Sequence, residues 1–377
     1  MKTVFEKGFV SADSHVAEPG DLWVKRVDKR FRDRAPQVES RTDADYFCID
    51  GLPPFANAAF MGAMVSDKVA GPGQVKGVMR RQQEIRPGAW DVQARLADQE
   101  MDNVRAEVTY PSVGMQFFAI PDPEYQRECM RVCNDYIAEF CAAAPQRLLG
   151  AALLPLRGPI KWAVEEAQRS AQLGLRSVMM PCGNLDRAFN HPYYQPLWAA
   201  LQEMELPAAL HPGGQEQSNS ETFGKEILMN AWVVDNKITP MMQGLTGLLA
   251  SGVPQQYPKL QFVLAEGGIG WIAAALRLMD HWWEDNYQWM EPKLGEKPSF
   301  YFHRQCWATF EDDRAGLLTR ELLNVDHLMW GSDYPHAEGT FPCSKAQIAK
   351  DFAGIPEAEL SKIVCENVTR LYGIELS

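Results

Sequence analysis

The segment KGFVSADSHVAEP, residues 7–19, joins a short apolar run to three chemically reactive side chains. Asp13 and His15 lie two positions apart near the end of that run, and Glu18 follows shortly after it. Side chains alternate between the two faces of a strand, so residues two apart point to the same side. The segment therefore predicts a strand that carries an aspartate and a histidine on one face at its carboxyl end.

Seven further apolar runs follow, separated by longer segments with apolar residues at three- and four-residue spacing. The runs are AEVTYPS (106–112), LLGAALLPL (148–156), SVMMP (177–181), PAALHP (207–212), QFVLAEGG (261–268), RQCWATF (304–310) and HLMWGSDYP (327–335). The intervening spacing indicates amphipathic helices, and the alternation is typical of βα units. Eight such strands predict a closed (β/α)8 barrel of the TIM type rather than an open sheet.

Residues from about 24 to 95 depart from this alternation, because they are rich in glycine, proline, methionine and charge. We interpret them as an insertion after the first strand, within a single domain that spans residues 1–377. A segment that leaves the carboxyl end of a barrel strand projects over the barrel mouth. We therefore expect it to cover the site or to meet another subunit.

Composition excludes several classes of partner. The chain has 377 residues, 46% of them hydrophobic, with 37 Lys+Arg against 49 Asp+Glu and a formal net charge of −12. The absence of a Lys/Arg block argues against nucleic acid or an anionic membrane as a partner. We find neither eighteen consecutive apolar residues nor a secretory signal, so we expect a cytoplasmic protein that does not enter the membrane. The eight cysteines are too sparse for a disulfide scaffold.

Polar side chains follow four of the predicted strands within a few residues. A single one would more often be a helix cap or a hydrogen-bonded loop residue than a ligand. The set is larger: Asp13, His15, Glu18, His211, Glu266, Asp333 and His336. Strand carboxyl ends meet at one mouth of a barrel, and carboxylates gathered there repel one another unless a cation neutralises them. The sequence therefore predicts a divalent metal site.

Four segments, ADSHVAEP, ALHPGG, VLAEGGIGW and MWGSDYPHAEG, together resemble the amidohydrolase superfamily, in the branch that contains aminocarboxymuconate-semialdehyde decarboxylase. The resemblance implies a (β/α)8 barrel with a divalent metal, Zn, Mn or Fe, at its mouth. It also implies ligands from a first-strand His-x-His pair, a fifth-strand histidine and an eighth-strand aspartate. His15, His211 and Asp333 match this pattern, whereas Asp13 replaces the first histidine and still offers a ligand atom.

The sequence also departs from the superfamily pattern. Glu266 stands where a sixth-strand histidine is common, and its role stays open between ligand, general base and substrate contact. We assign Asp13, His15, His211 and Asp333 to the primary metal site. Glu18, Glu266, His281 and His336 are candidates for a second metal ion or for the surroundings of the first. His303 and Arg304, at the start of the seventh run, are candidate substrate-binding residues, and we assign His191 and His327 to structure.

The resemblance implies an enzyme that hydrolyses or decarboxylates a small carboxylate or amide through a metal-activated water or a metal-bound substrate. Glu266 or His336 would then move the proton. Two alternatives remain open: a dinuclear non-haem iron monooxygenase on the same barrel, and a catalytically silent partner subunit. The aromatic segment DHWWEDNYQWM, residues 280–290, and the insertion suggest a homo- or hetero-oligomer.

Overall fold

The structure is a computed structural model that describes residues 2–56, 81–183, 185–213, 237–336 and 338–376. Its strands, in chain order, are β1 Phe9–Val16, β2 Gln37–Ser40, β3 Asp45–Cys48, β4 Phe55–Ala56, β5 Val104–Pro111, β6 Leu148–Leu153, β7 Ser177–Pro181, β8 Ala208–His211, β9 Phe262–Leu264, β10 Cys306–Phe310 and β11 Leu328–Trp330. Eight of them form one parallel sheet in the order β1-β5-β6-β7-β8-β9-β10-β11. Each of the eight predicted runs contributes one strand to this sheet.

The sheet closes where its last strand returns to its first. Ser14 forms a parallel bridge with Tyr334, and the His15 N–H donates to the Tyr334 carbonyl at 2.6 Å. The Asp333 N–H donates to the Asp13 carbonyl at 2.9 Å. An added Cβ on Gly331 would lie 2.6 Å from the Asp13 Cβ, so only glycine permits the two backbones to approach this closely. The predicted (β/α)8 barrel is confirmed.

Helices flank the strands. They are α1 Lys2–Lys7, α2 Leu22–Arg26, α3 Val92–Asp102, α4 Pro123–Ala142, α5 Ile160–Gln172, α6 Gln195–Glu203, α7 Thr239–Ala250, α8 Val253–Gln256, α9 Ile272–Asn286, α10 Pro298–Gln305, α11 Arg314–Leu318, α12 Ser344–Asp351, α13 Glu357–Ser361 and α14 Asn367–Tyr372. Side chains cap several of them; for example, Asp122 accepts from the backbone N–H groups of Glu124 and Tyr125 where α4 begins. No helix in the described ranges is both long and apolar enough to cross a membrane.

Several strands end earlier than the apolar runs predict, and at two of them the difference concerns candidate site residues. The sixth run extends to residue 268 and the eighth to residue 335, whereas β9 ends at Leu264 and β11 at Trp330. Glu266 and Asp333 have φ values of 58° and 51°, which extended backbone cannot accommodate. Both side chains therefore lie in the turns beyond their strands, and their sparsely populated backbone conformation is one that functional sites often contain.

The predicted insertion contains a small sheet of its own. Strands β2, β3 and β4 pair antiparallel in that order, while residues 57–80 lie outside the described part of the chain. The predicted limits of the insertion, at about residues 24 and 95, fall inside α2 and α3, so neither limit coincides with the end of a helix. Trp23 of α2 is fully buried, and its indole N–H donates to the Cys129 carbonyl on α4 at 2.9 Å.

Arg95 of α3 is a fully buried charge behind the closure of the barrel. Its guanidinium donates to Glu107 of β5 at 2.5 Å, to the Gly88 carbonyl and to the His15 carbonyl. It also stacks over the Tyr334 ring, 4.5 Å from the ring centroid. The Arg95 side chain thus connects α3 to β1 and β5, and it fixes the backbone of His15.

We predict that Arg95→Met lowers the free energy of unfolding by about 3–5 kcal/mol, because it leaves Glu107 buried without its partner. Urea unfolding followed by circular dichroism measures this. The matched control is Arg127→Met, whose exposed ion pair with Glu165 spans 3.4 Å and should leave stability unchanged within error. Equal stabilities of the two variants would contradict this role for Arg95.

Candidate metal centre

Four fully buried side chains converge at the carboxyl end of the barrel: Asp13 and His15 from β1, His211 at the end of β8, and Asp333 after β11. His15 Nε2 lies 3.6 Å from Asp13 Oδ1 and 3.5 Å from Asp333 Oδ1. His211 Nε2 lies 3.8 Å from the same Asp13 oxygen. The structure thus brings together all four residues of the predicted primary site.

The atoms that face one another here lack ordinary partners. Asp13 Oδ1, His15 Nε2, His211 Nε2 and Asp333 Oδ2 are buried and have no hydrogen bond within the described residues. Leaving a buried polar atom unsatisfied costs about 1–3 kcal/mol, so such atoms rarely gather without a reason. A divalent cation satisfies carboxylate oxygens and imidazole nitrogens at once. The donor set therefore fits a metal ion.

Backbone carbonyls orient both imidazoles. His15 Nδ1 lies 3.1 Å from the Pro111 carbonyl, and His211 Nδ1 lies 2.7 Å from the Pro212 carbonyl. A carbonyl can only accept, so Nδ1 carries the proton and the lone pair of Nε2 faces the cluster, as in metal-bound histidines. Burial, together with the charges of His336 and His211, lowers the pKa of His15 and keeps it neutral for metal binding.

The carboxylates are held in a dry, crowded setting. Burial raises the pKa of Asp333 well above its usual value, and the neighbouring charges of Glu266 and Glu311 raise it further. Thr309 accepts from the Glu266 N–H at 2.7 Å and donates to Asp13 Oδ2 at 3.2 Å, which links the sixth strand end to the first. A bound cation would offset this mutual repulsion.

The two predicted catalytic residues adjoin the four. Glu266 Oε2 lies 3.3 Å from His211 Nε2. The ring of His336 stacks on His15 with 4.0 Å between centroids, and its Nδ1 lies 3.0 Å from Asp333 Oδ1. His336 Nε2 is 3.2 Å from the Ser112 hydroxyl, so the imidazole links Asp333 to the turn after β5.

Glu18 is buried at the same end of the barrel, but its carboxylate accepts hydrogen bonds from the backbone. One carboxylate oxygen accepts from the Val113 N–H and the other from the Gly114 N–H, both at 2.9 Å, and the Cys133 thiol lies 3.5 Å away. Glu18 thereby fixes the turn after β5 that carries Ser112. Glu18 belongs to none of the groups of ligand atoms that lie close enough in the described residues to share an ion, so these contacts fit the other role predicted for it, in the surroundings of the metal.

Three other candidates lie away from the cluster, and their assignments are corrected. The side chain of His281 is 58% exposed on α9, where it faces Asp285. His303 and Arg304 lie in the last turn of α10, which leads into the amino end of β10, and Arg304 donates to the Pro254 carbonyl. Amino ends of parallel strands lie at the rim opposite the metal centre.

The two histidines assigned to structure do have structural roles. His191 caps the turn that begins at Pro192 by accepting from the Tyr193 N–H at 3.1 Å. The ring of His327 stacks on Trp307 with 4.1 Å between centroids.

Sequence reasoning missed Lys237, Glu311 and Glu338, which lie beside Glu266. Glu311 directly follows β10, so the rule that selected the other strand-end residues also applies to it. Glu338 follows the DYPH motif by two residues. Lys237 precedes α7 and is 26 residues beyond His211, and no local feature of the sequence connects it with the strand end.

Comparison with known proteins agrees with the fold. Residues 80–374, well over half of the chain, match the family model described as Amidohydrolase. The chain belongs to the amidohydrolase family, and the predicted superfamily membership and enzymatic nature are confirmed.

Individual relatives carry more specific names. The chain is 28% identical to gamma-resorcylate decarboxylase of Rhodococcus jostii over 321 residues, which cover 77% of this chain and 92% of that protein. A crystal structure of an amidohydrolase from Mycobacterium avium subsp. paratuberculosis superposes with a TM-score of 0.80 and 20% identity, covering 98% of both chains. A dihydroxybenzoic acid decarboxylase from Polaromonas sp., with a TM-score of 0.66, 18% identity and 97% coverage of both chains, was crystallised with bound manganese.

We predict that His211→Ala loses its metal ion, because it removes the only ligand from the fifth strand of the barrel. Elemental analysis after manganese loading and exhaustive dialysis measures the ion content. His281→Ala, which removes an exposed histidine from α9, is the matched control and should retain wild-type content. Full occupancy in His211→Ala would show that the ligand set is wrong.

Proposed function

We propose that this protein is a metal-dependent decarboxylase, and that its substrate is a small aromatic acid with a hydroxyl group next to the carboxylate. The observation that carries the proposal is the convergence of buried, unpartnered ligand atoms from Asp13, His15, His211 and Asp333. The relatives support the reaction class, since their names include resorcylate and dihydroxybenzoic acid decarboxylases.

Asp13, His15, His211 and Asp333 would hold the divalent ion. When bound, such an ion supplies a Lewis acid whose positive charge attracts and orients the oxygen atoms of a carboxylate substrate. Relatives crystallised with manganese support Mn²⁺ as the ion to test first.

Decarboxylation of a hydroxybenzoate needs a proton at the carbon that bears the carboxylate. That carbon gains the proton, its bond to the carboxyl carbon breaks, the electron pair returns to the ring, and CO2 leaves. The adjacent hydroxyl group donates electron density and favours protonation at that position. The protein must therefore place an acid beside the substrate ring.

Glu266 is the residue placed to deliver that proton. Its Oε2 faces the metal centre, 3.3 Å from His211 Nε2. Burial raises the pKa of Glu266 to about 8 while the nearby charges of Lys237 and His211 oppose that rise, so near neutral pH this group can both carry a proton and give it up to become a carboxylate. His336 has a different role, because burial lowers its pKa to about 3 and makes it a weak base. It positions Asp333 through Nδ1, at 3.0 Å.

The arrangement offers less support to the alternatives. A dinuclear iron monooxygenase needs a second ion, and the carboxylates of Glu266 and Glu338 that could bind one lie against the ammonium group of Lys237. Hydrolysis of an amide would use the same metal centre, so the activity assay must distinguish it directly. A catalytically silent subunit would keep the four metal-binding residues but would show no activity in the same assay.

We predict that manganese-loaded protein releases CO2 from 2,6-dihydroxybenzoate or 5-carboxyvanillate, and that in D2O deuterium replaces the lost carboxylate. Glu266→Gln should lower kcat by about 100-fold or more, the usual contribution of a positioned acid. The matched control, Glu321→Gln, removes a carboxylate that is 82% exposed and should leave kcat unchanged. Oxygen uptake, or cleavage of amides without CO2 release, would contradict decarboxylation.

A further inference from the structure

Lys237 lies among three carboxylates at the barrel mouth. Its Nζ is 3.2 Å from Glu266 Oε1, 3.2 Å from Glu338 Oε2 and 3.9 Å from Glu311 Oε2. The three glutamates follow β9, β11 and β10 respectively, so one ammonium group joins three consecutive strand ends. Only 20% of the lysine side chain is exposed.

In both Glu266 and Asp333, the two carboxylate oxygens have different surroundings. Glu266 presents Oε2 to His211 in the metal centre and Oε1 to Lys237. Asp333 presents Oδ1 to His15, while its Oδ2 is buried without a hydrogen bond in the described residues. Glu266 therefore faces both the metal centre and Lys237, and Asp333 keeps one oxygen atom without a hydrogen-bond partner.

The ligand atoms for a second ion are also close together. One carboxylate oxygen each from Glu266, Asp333 and Glu338 lie within 4.8 Å of one another. Lys237 Nζ is at hydrogen-bonding distance from two of these three residues. The ammonium group therefore lies against the oxygens that a second metal ion would use.

The lysine stays charged in this setting. Burial lowers the pKa of Lys237, but the carboxylates of Glu266, Glu311 and Glu338 outweigh burial and raise it above its usual value. A permanent positive charge offsets the repulsion among these carboxylates, as a metal ion would.

We propose that the ammonium group of Lys237 takes the place of a second metal ion, so that each chain binds one divalent cation. This inference rests on the proposed metal-dependent function and makes it more specific, because it restricts the enzyme to chemistry that one metal ion supports. The carboxylates at the strand ends would thus surround one metal ion and the ammonium group of Lys237.

The test is metal stoichiometry with Mn²⁺ as the probe. Wild-type protein and Lys237→Met, which keeps the length of the side chain and removes its charge, are loaded with Mn²⁺ and dialysed exhaustively. We expect one ion per wild-type chain, with the electron paramagnetic resonance signal of isolated Mn²⁺. We expect two ions per Lys237→Met chain, with a spin-coupled signal.

Further variants separate charge from fold. Lys237→Arg keeps the positive charge and should bind one ion, whereas Lys237→Gln, a second neutral variant, should bind two. Lys161→Met on α5 removes an 81% exposed lysine and should bind one. Circular dichroism identifies which variants are folded.

Two results would overturn the inference: two ions in the wild type, or one ion in a folded neutral variant at position 237. The latter, with one ion also in the wild type, would leave the proposed decarboxylase intact. Wild-type protein that retains no ion would overturn both proposals, and the two failures are therefore distinguishable.

Discussion

Repulsion among buried lone pairs dominates the mouth of this barrel. Asp13, His15, His211 and Asp333 direct unpartnered atoms at one another in a region without solvent exposure. Such an arrangement is unfavourable by itself, because buried polar atoms without partners and neighbouring carboxylates that repel one another both cost free energy. A cation resolves the conflict, and the features around the cluster keep these atoms in place for it.

The scaffold meets this requirement through backbone contacts and one buried charge. Carbonyls of Pro111 and Pro212 orient the two imidazoles. Gly331 lets the last strand approach Asp13, and Arg95 fixes the carbonyl of His15 from behind. These contacts come from different strand ends and from α3, so the geometry of the centre depends on closure of the whole barrel.

The mouth of this barrel also carries charged side chains beyond the histidines and aspartates that would bind one metal ion. Glu266, Glu311 and Glu338 add negative charge, and Lys237 compensates for it without adding a metal ion. The carboxylate of Glu18, which the sequence places near the same ligands, instead accepts hydrogen bonds from two backbone amides. On the role proposed for Lys237, the number of carboxylates at the mouth does not give the number of metal ions.

The sequence by itself determined the barrel and most of the centre. Apolar runs at βα spacing identify all eight strands, and side-chain alternation along β1 places Asp13 and His15 on one face. The rule that barrel sites form at strand carboxyl ends then leads to His211, Glu266, Asp333 and His336, which the structure brings together. These features depend on local order along the chain, which the sequence displays directly.

Only the tertiary structure decided which polar residues near those strands face the cluster of Asp13, His15, His211 and Asp333. His303 and Arg304 adjoin a strand too, but at its amino end, and His281 lies on the outer surface of α9. Glu18 and Lys237 differ because their partners lie 95 and 29 residues away along the chain, at Val113 and Glu266. Contacts over such separations form only when the barrel closes, so no local pattern could predict that Glu18 binds backbone or that Lys237 lies among three glutamates.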